Sequence, residues 1–274
     1  MFEPTESPVL ALDLGGTKLA AALVMGREVL ERRQTATPQD RTPENIVRSL
    51  LELANGWLER APHVAVAATG HVRQGRVTAP NPQTLPWTDV DLRGLLERAT
   101  AKRTLVLNDA DAAAWGEYRY GAGRGFKRFL FVTVSTGVGS GLVLEDRLLE
   151  GAELGFTRLE DGTPLEFATS GKALDDYALG RGWTGARDVL EHASSDPDAE
   201  AVLERTARLI SGKLFDASQL LSLERIAVGG GLGLAPGFLK RLENALEHRS
   251  AFALAELGAD AGLIGAVDRA NFLR

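Results

Sequence analysis

Two stretches of the chain follow the same pattern, and this repeat constrains the fold more than any other feature. Residues 13–27 and 133–147 each contain a glycine-rich turn, an apolar run, a second turn and an arginine, and each follows an apolar run. Corresponding positions lie 120 residues apart, so Asp13 matches Thr133. Apolar runs separated by glycine turns predict β-hairpins. A repeated hairpin predicts two similar α/β domains, each presenting a turn of small residues to a shared ligand.

The composition excludes several classes of protein. The 31 basic and 37 acidic residues give a net charge of −6, whereas a nucleic-acid binder carries a basic surface. The chain has no cysteine, which excludes disulfides, thiolate catalysis and cysteine-ligated zinc. No apolar run approaches the roughly 18 residues of a membrane span. The acidic, proline-broken start is unlike a signal peptide. We therefore expect a cytoplasmic protein that binds neither nucleic acid nor membrane.

Apolar residues at helical spacing predict helices between and after the hairpins. Asp196 followed by Pro197 is a typical helix start, and this helix is predicted to run to about Leu221. The other predicted helices cover residues 43–60, 92–98, 110–120, 237–248 and 259–270, and residues 72–85 are predicted to form a connection. We expect residues 1–107, with the C-terminal helix 259–274, to form an N-terminal α/β domain. Residues 108–258 are expected to form a larger C-terminal α/β domain.

The glycine-rich turns do not fit the common nucleotide-binding motifs. The dinucleotide-binding fingerprint needs a final glycine, which Leu142 replaces in one turn and Phe126 in another. Glu166 stands where a P-loop ending at Lys172 would have its first glycine. A hairpin turn of glycine and threonine can instead hold phosphate oxygens with successive backbone N–H groups. A plain β-turn is the alternative for either hairpin alone, but the pair and the triple glycine 229–231 favour a nucleotide site.

Asn108 and Asp109 mark the point where a predicted strand gives way to a helix. One interpretation is a helix cap, a position that Asn and Asp favour. The other interpretation is that Asp109 lies at the carboxyl end of a strand, where α/β sheets form ligand crevices. There its carboxylate can accept the proton of a hydroxyl group that attacks phosphorus. Asp13, beside the first glycine turn, suits the outer coordination sphere of Mg²⁺.

Several short motifs occur in a fixed order along the chain. They include Asp13-Leu14-Gly15-Gly16-Thr17-Lys18, Ala79-Pro80-Asn81, Asn108-Asp109-Ala110-Asp111, Thr133-Val134-Ser135-Thr136-Gly137-Val138-Gly139-Ser140-Gly141, Gly151-Ala152-Glu153-Leu154-Gly155 and Val228-Gly229-Gly230-Gly231. With this set the chain resembles the ROK family, bacterial sugar kinases within the actin-like ATPase superfamily. The resemblance covers essentially the whole chain. It implies an α/β fold of two actin-like ATPase (ribonuclease H-like) domains with a central cleft.

The resemblance also implies a role for particular residues. In that family the glycine hairpins bind the phosphates of ATP, which implicates Asp13, Gly15, Gly16, Thr17, Lys18, Thr136 and Gly137, while Gly229, Gly230 and Gly231 would approach the nucleotide. The residue that matches Asp109 is the catalytic base. The residues that match sugar-binding positions are Asn81, Asn108, Asp109, Glu153 and Glu166. Mg²⁺ is the implied metal ion, held by Asp13 through water.

These features predict an ATP-dependent hexose kinase that transfers the γ-phosphoryl group of ATP to a sugar hydroxyl, with O6 of glucose as the favoured acceptor. The alternatives are a kinase for another hexose, such as N-acetylmannosamine or fructose, and a catalytically degenerate sugar-binding regulator. Regulators of this family carry a DNA-binding domain before the first hairpin. Only eight residues precede Val9, so we expect no DNA binding. A chaperone-type or cytoskeletal ATPase is disfavoured because those chains are longer. Dimers are common in the family, so the resemblance allows a homodimer, although the sequence alone does not give the oligomeric state.

The chain departs from the family pattern at its zinc site. The family usually has His in the motif Glu-x-Gly-His, and Phe156 stands at that position. A phenylalanine can neither bind a metal ion nor hydrogen-bond a hydroxyl group. The family's cysteine-rich loop is also missing, and residues 157–164 form a short substitute. We therefore expect no structural zinc, and we predict that the four scattered histidines, His63, His71, His192 and His248, are surface residues.

Overall fold

The structure is a computed structural model, and it describes residues 7–82, 84–245 and 252–271. The strands are β1 (Val9–Leu14), β2 (Lys18–Met25), β3 (Glu28–Ala36), β4 (Val64–Ala68), β5 (His71–Arg73), β6 (Arg76–Thr78), β7 (Thr104–Asn108), β8 (Arg128–Val134), β9 (Val138–Leu144), β10 (Arg147–Leu149), β11 (Arg225–Gly229) and β12 (Phe252–Leu254). The α-helices are α1 (Pro43–Leu53), α2 (Leu92–Thr100), α3 (Asp109–Tyr120), α4 (Leu165–Thr169), α5 (Gly171–Gly180), α6 (Ala186–His192), α7 (Pro197–Leu221), α8 (Phe238–Asn244) and α9 (Ala261–Ala270).

The chain divides into two compact units. Unit 1 contains the described residues of Met1–Tyr120, Leu149–Gly151 and Ala259–Arg274, and unit 2 contains those of Gly121–Leu148 and Ala152–Gly258. This division groups α3 with unit 1. The domain boundary predicted between residues 107 and 108 stays a prediction.

Unit 1 is built on a mixed five-stranded sheet in the order β3-β2-β1-β4-β7. The first three strands are antiparallel, and β4 and β7 run parallel to β1. Leu14, Ala68 and Asn108 are aligned across β1, β4 and β7. The carboxyl ends of the three parallel strands therefore meet at one edge of the sheet, with the turn after β1 and the start of α3 beside each other along it.

Unit 2 repeats this topology, with a five-stranded sheet in the order β10-β9-β8-β11-β12. Its hairpin β8–β9 is antiparallel, and β11 and β12 run parallel to β8. The turn at residues 135–137 thus corresponds to the turn at 15–17. The predicted α/β class and the repeated hairpin are confirmed.

Helix α3 is held in unit 1 by close packing against α9. A Cβ atom added at Gly116 would lie 2.5 Å from the carbonyl oxygen of Ala261, and one added at Gly265 would overlap the carbonyl oxygen of Ala112. The buried carboxylate of Asp268 on α9 accepts hydrogen bonds from α3 side chains, including one from the Trp115 indole at 2.7 Å. These contacts fix the helix whose first residue is Asp109.

The predicted helices are correct in part. Asp196 caps α7 by accepting from the N–H groups of residues 198 and 199, and the predicted end at Leu221 is confirmed. The helix predicted over residues 43–60 ends at Leu53 with Ala54 as its C-cap, and the chain then passes through Gly56, with a φ of +82°, into a short 3₁₀ turn at residues 58–60. The helix predicted over 237–248 is observed at Phe238–Asn244, and residues 246–248 lie outside the described part.

Other elements were not predicted. Residues 72–85 include part of the small β5–β6 hairpin, and helices α4, α5 and α6 follow one another between residues 165 and 192. Of the histidines predicted at the surface, His71 and His192 are exposed, His63 is half-buried, and His248 lies outside the described residues. Within the described residues, no helix combines the length and the hydropathy that a membrane span needs.

Candidate functional site

The first glycine turn connects β1 to β2 and is held from two sides. The Gly15 N–H donates to the carbonyl oxygen of Lys18 at 3.0 Å. Thr37, just after β3, donates its N–H to the carbonyl oxygen of Thr17 at 3.0 Å and its hydroxyl to that of Gly15 at 2.8 Å. A Cβ atom at residue 15 would lie 2.8 Å from the Lys18 carbonyl oxygen, so the tight turn requires glycine. These contacts fix the shape of the turn. No motif in the sequence pointed to the contribution of Thr37.

Asp13 precedes this turn by two residues, near the end of β1. Burial raises the pKa of its carboxyl group from 3.8 to about 6, and the positive charge of Arg32 opposes that effect only partly. Desolvation disfavours the charged form of a carboxyl group, whereas a nearby cation favours it. A divalent cation near Asp13 would therefore offset the cost of ionising this side chain.

The loop that contains Asn81 packs directly against the first glycine turn. A Cβ atom at Gly16 would lie less than 3 Å from the Cγ2 methyl of Thr84. The loop is closed by N–H groups of Thr84 and Leu85, which donate to the carbonyl oxygen of Asn81 at 2.9 and 3.2 Å. The Arg41 guanidinium also donates to the carbonyl oxygen of Thr84. Asn81 is exposed, and its loop and the glycine turn form one packed surface of unit 1.

The structure assigns the helix cap to Asn108 and leaves Asp109 as the first residue of α3. The Asn108 carbonyl Oδ1 accepts from the N–H groups of Ala110 and Asp111 at 2.9 and 3.0 Å, and its Nδ2 donates to the carbonyl oxygen of Gly70 at 2.9 Å. An amide side chain has two N–H donors. Asn108 can therefore offer at most one donor to a ligand. Asp109 Oδ1 accepts from the Ala110 N–H at 2.9 Å, and its side chain is half-buried.

Asp13 and Asp109 lie at the same edge of the unit 1 sheet. Asp13 is aligned with Ala67 of β4, Ala67 is aligned with Leu107 of β7, and Asp109 follows the end of β7. Neighbouring strands are about 4.8 Å apart, so β1 and β7 are separated by about 10 Å. Such an edge, at the carboxyl ends of parallel strands, is where α/β proteins bind their ligands.

The second glycine turn, in unit 2, is braced by the start of α5. The N–H of Gly171 donates to the carbonyl oxygen of Ser135 at 2.6 Å, and that of Lys172 donates to the carbonyl oxygen of Thr136 at 3.3 Å. Within the turn, the Ser135 N–H donates to the carbonyl oxygen of Gly137 at 2.8 Å. Thr136 is exposed at the tip of this turn.

The triple glycine 229–231 lies beside the end of β8 in the same unit. Gly229 is aligned with Thr133, and Gly230 adopts a φ of +82°. A Cβ atom at residue 230 would lie 2.5 Å from the carbonyl oxygen of Val134, so only glycine fits there. Gly231 is exposed, with open space where a Cβ atom would be. The two glycine-rich segments of unit 2 thus share one sheet edge.

Glu166 contacts the second glycine turn. Its Oε2 accepts from the N–H of Val138 at 2.8 Å, and a Cβ atom at Gly137 would lie 2.5 Å from the same oxygen. The loop of Glu153 packs nearby, because a Cβ atom at Gly155 would overlap the carbonyl oxygen of Val138. The start of β9 therefore contacts both Glu166 and the loop that carries Glu153.

The predicted site residues fall into two groups. Unit 1 contains Asp13, Gly15, Gly16, Thr17, Lys18, Asn81, Asn108 and Asp109; unit 2 contains Thr136, Gly137, Glu153, Glu166, Gly229, Gly230 and Gly231. Within each unit, the residues lie on or next to the hairpin turn and the carboxyl edge of the sheet. That the two groups share one ligand in a central cleft stays a prediction.

The residues around Asp13 fit Mg²⁺ better than a metal held by protein ligands alone. The described residues contain no group of three or more His, Cys, Asp or Glu side chains that could hold a metal ion. Mg²⁺ is often bound by one or two carboxylates, with water and substrate phosphates completing its coordination. A single desolvated carboxylate beside a turn of backbone N–H groups matches that chemistry.

Several known proteins are similar to this chain over most of its length. Residues 9–271 match the ROK family. The bifunctional enzyme NanE/NanK of Brucella melitensis is 39% identical over 286 residues, covering 96% of this chain and 54% of that relative. The chain therefore spans about half the length of this relative. An N-acetylmannosamine kinase of Haemophilus influenzae is 34% identical over 281 residues, covering 94% of this chain and 93% of the relative.

A solved structure shows the same fold. The ROK family glucokinase of Streptomyces griseus, crystallised with glucose and AMPPNP, has a TM-score of 0.82 and 28% sequence identity to this chain. The match covers 96% of this chain and 98% of the glucokinase. The predicted actin-like ATPase fold is confirmed by this likeness.

Proposed function

The chain belongs to the ROK family, and on this premise we propose that it is an ATP-dependent kinase that phosphorylates a hydroxyl group of a hexose. The observation that carries this proposal is that Asn108 and Asp109 have different positions and contacts at the start of α3. Asn108 caps the helix, so Asp109 is not needed for that role, and Asp109 lies at the sheet edge that Asp13 and the first glycine turn also occupy.

The two glycine turns and the triple glycine are proposed to bind ATP. In unit 1 the backbone of Gly15, Gly16 and Thr17, with the exposed side chain of Lys18, would hold phosphate oxygens. In unit 2, the second glycine turn would also hold phosphate oxygens, through Thr136 and Gly137. The glycines 229–231 would approach the rest of the nucleotide. Mg²⁺, held by Asp13 through water, would neutralise charge on the transferring phosphoryl group. This proposal requires both units to contact one nucleotide.

Asp109 is proposed to act as the general base. Its carboxylate would take the proton of the sugar hydroxyl while that oxygen forms a bond to the γ-phosphorus and the bond from phosphorus to the ADP oxygen breaks. Such proton transfer contributes typically about 10²–10⁴-fold to a rate. Asn81, Asn108, Glu153 and Glu166 would bind the other hydroxyl groups of the sugar. Asn108 would contribute a single N–H donor, since its other polar groups bond the backbone.

N-acetylmannosamine is the sugar that we propose first. The resemblance of the sequence motifs favours O6 of glucose, and the similar glucokinase structure supports that choice at 28% identity. The N-acetylmannosamine kinase of Haemophilus influenzae is more similar to this chain, at 34% identity over nearly the full length of both proteins. Glucose is therefore the second candidate, and both sugars have a hexose skeleton with a primary hydroxyl group at C6.

A coupled assay for ADP release tests this function. The purified chain is incubated with ATP, Mg²⁺ and one sugar at a time: N-acetylmannosamine, glucose, mannose, fructose or N-acetylglucosamine. We expect turnover with N-acetylmannosamine and a lower kcat/KM with glucose. Sugar binding without ADP release would support a sugar-binding regulator and contradict the kinase proposal.

The role of Asp109 is tested by Asp109→Asn, which keeps the size of the side chain. We expect kcat to fall by about 10²–10⁴-fold with little change in folding or ATP binding. Asp91→Asn is the matched control, because Asp91 caps α2 in the same unit by accepting from the Gly94 N–H at 3.0 Å. The control should keep its activity. Full activity in Asp109→Asn would contradict the base assignment.

A further inference from the structure

Glu153 lies outside the helices and strands, so no regular hydrogen-bond pattern holds its backbone. Its φ and ψ are −99° and 78°, which are neither helical nor extended values, and it precedes a short 3₁₀ turn at Leu154–Phe156. A carboxylate that binds a sugar must be held within a fraction of an ångström of its working position. Contacts from elsewhere in the chain must therefore hold this segment.

The hydroxyl group of Ser140 contacts the backbone on both sides of Glu153. It donates to the carbonyl oxygen of Ala152 and accepts from the N–H of Leu154 at 2.8 Å. Ser140 lies on β9 and is 2% exposed. A serine hydroxyl has one donor, and here that donor and an acceptor site bond the two peptide groups that flank Glu153.

A second contact places the same segment against β9. Val138 and Ser140 are two residues apart on a strand, so their side chains lie on the same face. The carbonyl oxygen of Val138 lies against Gly155, where a Cβ atom would overlap it, and the Val138 N–H donates to Glu166 at 2.8 Å. The first residues of β9 thus contact both carboxylate residues that are proposed to bind the sugar. They hydrogen-bond the backbone on either side of Glu153 and the side chain of Glu166.

We propose that Ser140 is a positioning residue for sugar binding, because its hydroxyl group fixes the peptide groups on either side of Glu153. The inference rests on the proposed function, since it concerns the sugar that Glu153 would bind. Ser140 would not touch the substrate, and it would have no direct effect on the nucleotide. Losing its hydroxyl should therefore weaken sugar binding much more than ATP binding.

The test compares Ser140→Ala with Ser211→Ala. Ser211 is a matched control, because it is fully buried in α7 of the same unit and its hydroxyl donates to the Leu242 carbonyl oxygen at 2.9 Å. Both variants lose a buried hydroxyl group that bonds the backbone, through two hydrogen bonds at Ser140 and one at Ser211. We expect Ser140→Ala to raise KM for the sugar by about 10-fold to 100-fold, the order of effect that misplacing a binding group has. KM for ATP should change less than threefold, and Ser211→Ala should leave both values within threefold of wild type.

Amide hydrogen exchange gives a readout that does not depend on activity. The Leu154 N–H should exchange faster in Ser140→Ala than in wild type, while Ser211→Ala should leave its exchange unchanged. If Ser140→Ala does not yield folded protein, Ser140→Cys replaces it. A thiol has a similar shape and forms weaker hydrogen bonds, so a smaller rise in the sugar KM is expected.

The outcomes separate this inference from the function on which it rests. A wild-type chain that phosphorylates no sugar would contradict the proposed function, and the positioning role would fail with it. An active wild type with an unchanged sugar KM in Ser140→Ala would contradict only the positioning role. An equal rise in the sugar KM for Ser211→Ala would also contradict it, because the effect would then follow from any loss of stability in unit 2.

Discussion

Two separate causes would require glycine at position 16. The residue packs closely against Thr84, and its backbone is proposed to contact a phosphate group. In Gly16→Ala the new Cβ atom would lie less than 3 Å from the Thr84 Cγ2 methyl. Carbon atoms in favourable contact are about 3.5–4.0 Å apart. The turn, the Asn81 loop or the Thr84 side chain must therefore move. Overpacking of this kind costs typically about 1–3 kcal/mol.

Thr84→Ser removes the methyl group that causes this overlap. The next Thr84 atom, its Cβ, would lie 3.6 Å from the new alanine carbon, an ordinary contact. We expect urea unfolding to show a loss of about 1–3 kcal/mol in Gly16→Ala and recovery to within about 0.5 kcal/mol of Thr84→Ser in the double variant. Thr84→Ser alone is the control for the loss of the methyl group.

Steady-state kinetics then separates the two causes. If a phosphate group approaches the backbone of Gly16, the alanine Cβ still obstructs it in the double variant. KM for ATP should then remain raised, by about tenfold or more, although stability has recovered. Recovery of both stability and KM for ATP would refute the phosphate contact at Gly16. A stable Gly16→Ala protein would refute the packing argument.

Two further predictions concern stability. Because burial raises the pKa of Asp13 from 3.8 to about 6, its ionisation costs the folded protein nothing below pH 3.8, an increasing amount between pH 4 and 6, and the full amount above pH 6. In protein free of nucleotide and Mg²⁺, Asp13→Asn should therefore raise the free energy of unfolding by up to about 3 kcal/mol at pH 8 and by less than about 1 kcal/mol at pH 4. Urea titrations that show no gain in stability at pH 8 would contradict this prediction. Gly265→Ala should cost about 3 kcal/mol or more in thermal unfolding, because its Cβ would overlap the Ala112 carbonyl oxygen of α3. Gly262→Ala in the same helix meets only contacts of 3.5 Å or more and is the control; an equal loss in both would contradict the packing argument.

The sequence predicted the parts of the fold that depend on residues close together in the chain. The repeated hairpins follow from apolar runs and glycine turns, and α7 follows from Asp196, Pro197 and a long amphipathic pattern. The same local signals predicted the α/β class. Local signals failed at residues 165–192, where three short helices with few capping residues follow one another. Tertiary packing stabilises such short helices, since each is too short to be stable alone.

Residue chemistry and spacing were enough to predict Asp13, Asp109 and the glycine turns as candidate site residues. The contacts that these residues make could be read only from the folded chain. Asn108 caps the helix and Asp109 does not. The chain enters α3 from β7 in a conformation that directs the side-chain oxygen Oδ1 of Asn108 at the backbone N–H groups of Ala110 and Asp111. The contacts of Thr84 with Gly16, and of Ser140 with the peptides around Glu153, join residues that are 68 and about 13 positions apart. Hydrogen bonds and packing between such distant residues leave no periodic pattern in the sequence, so only the folded chain reveals them.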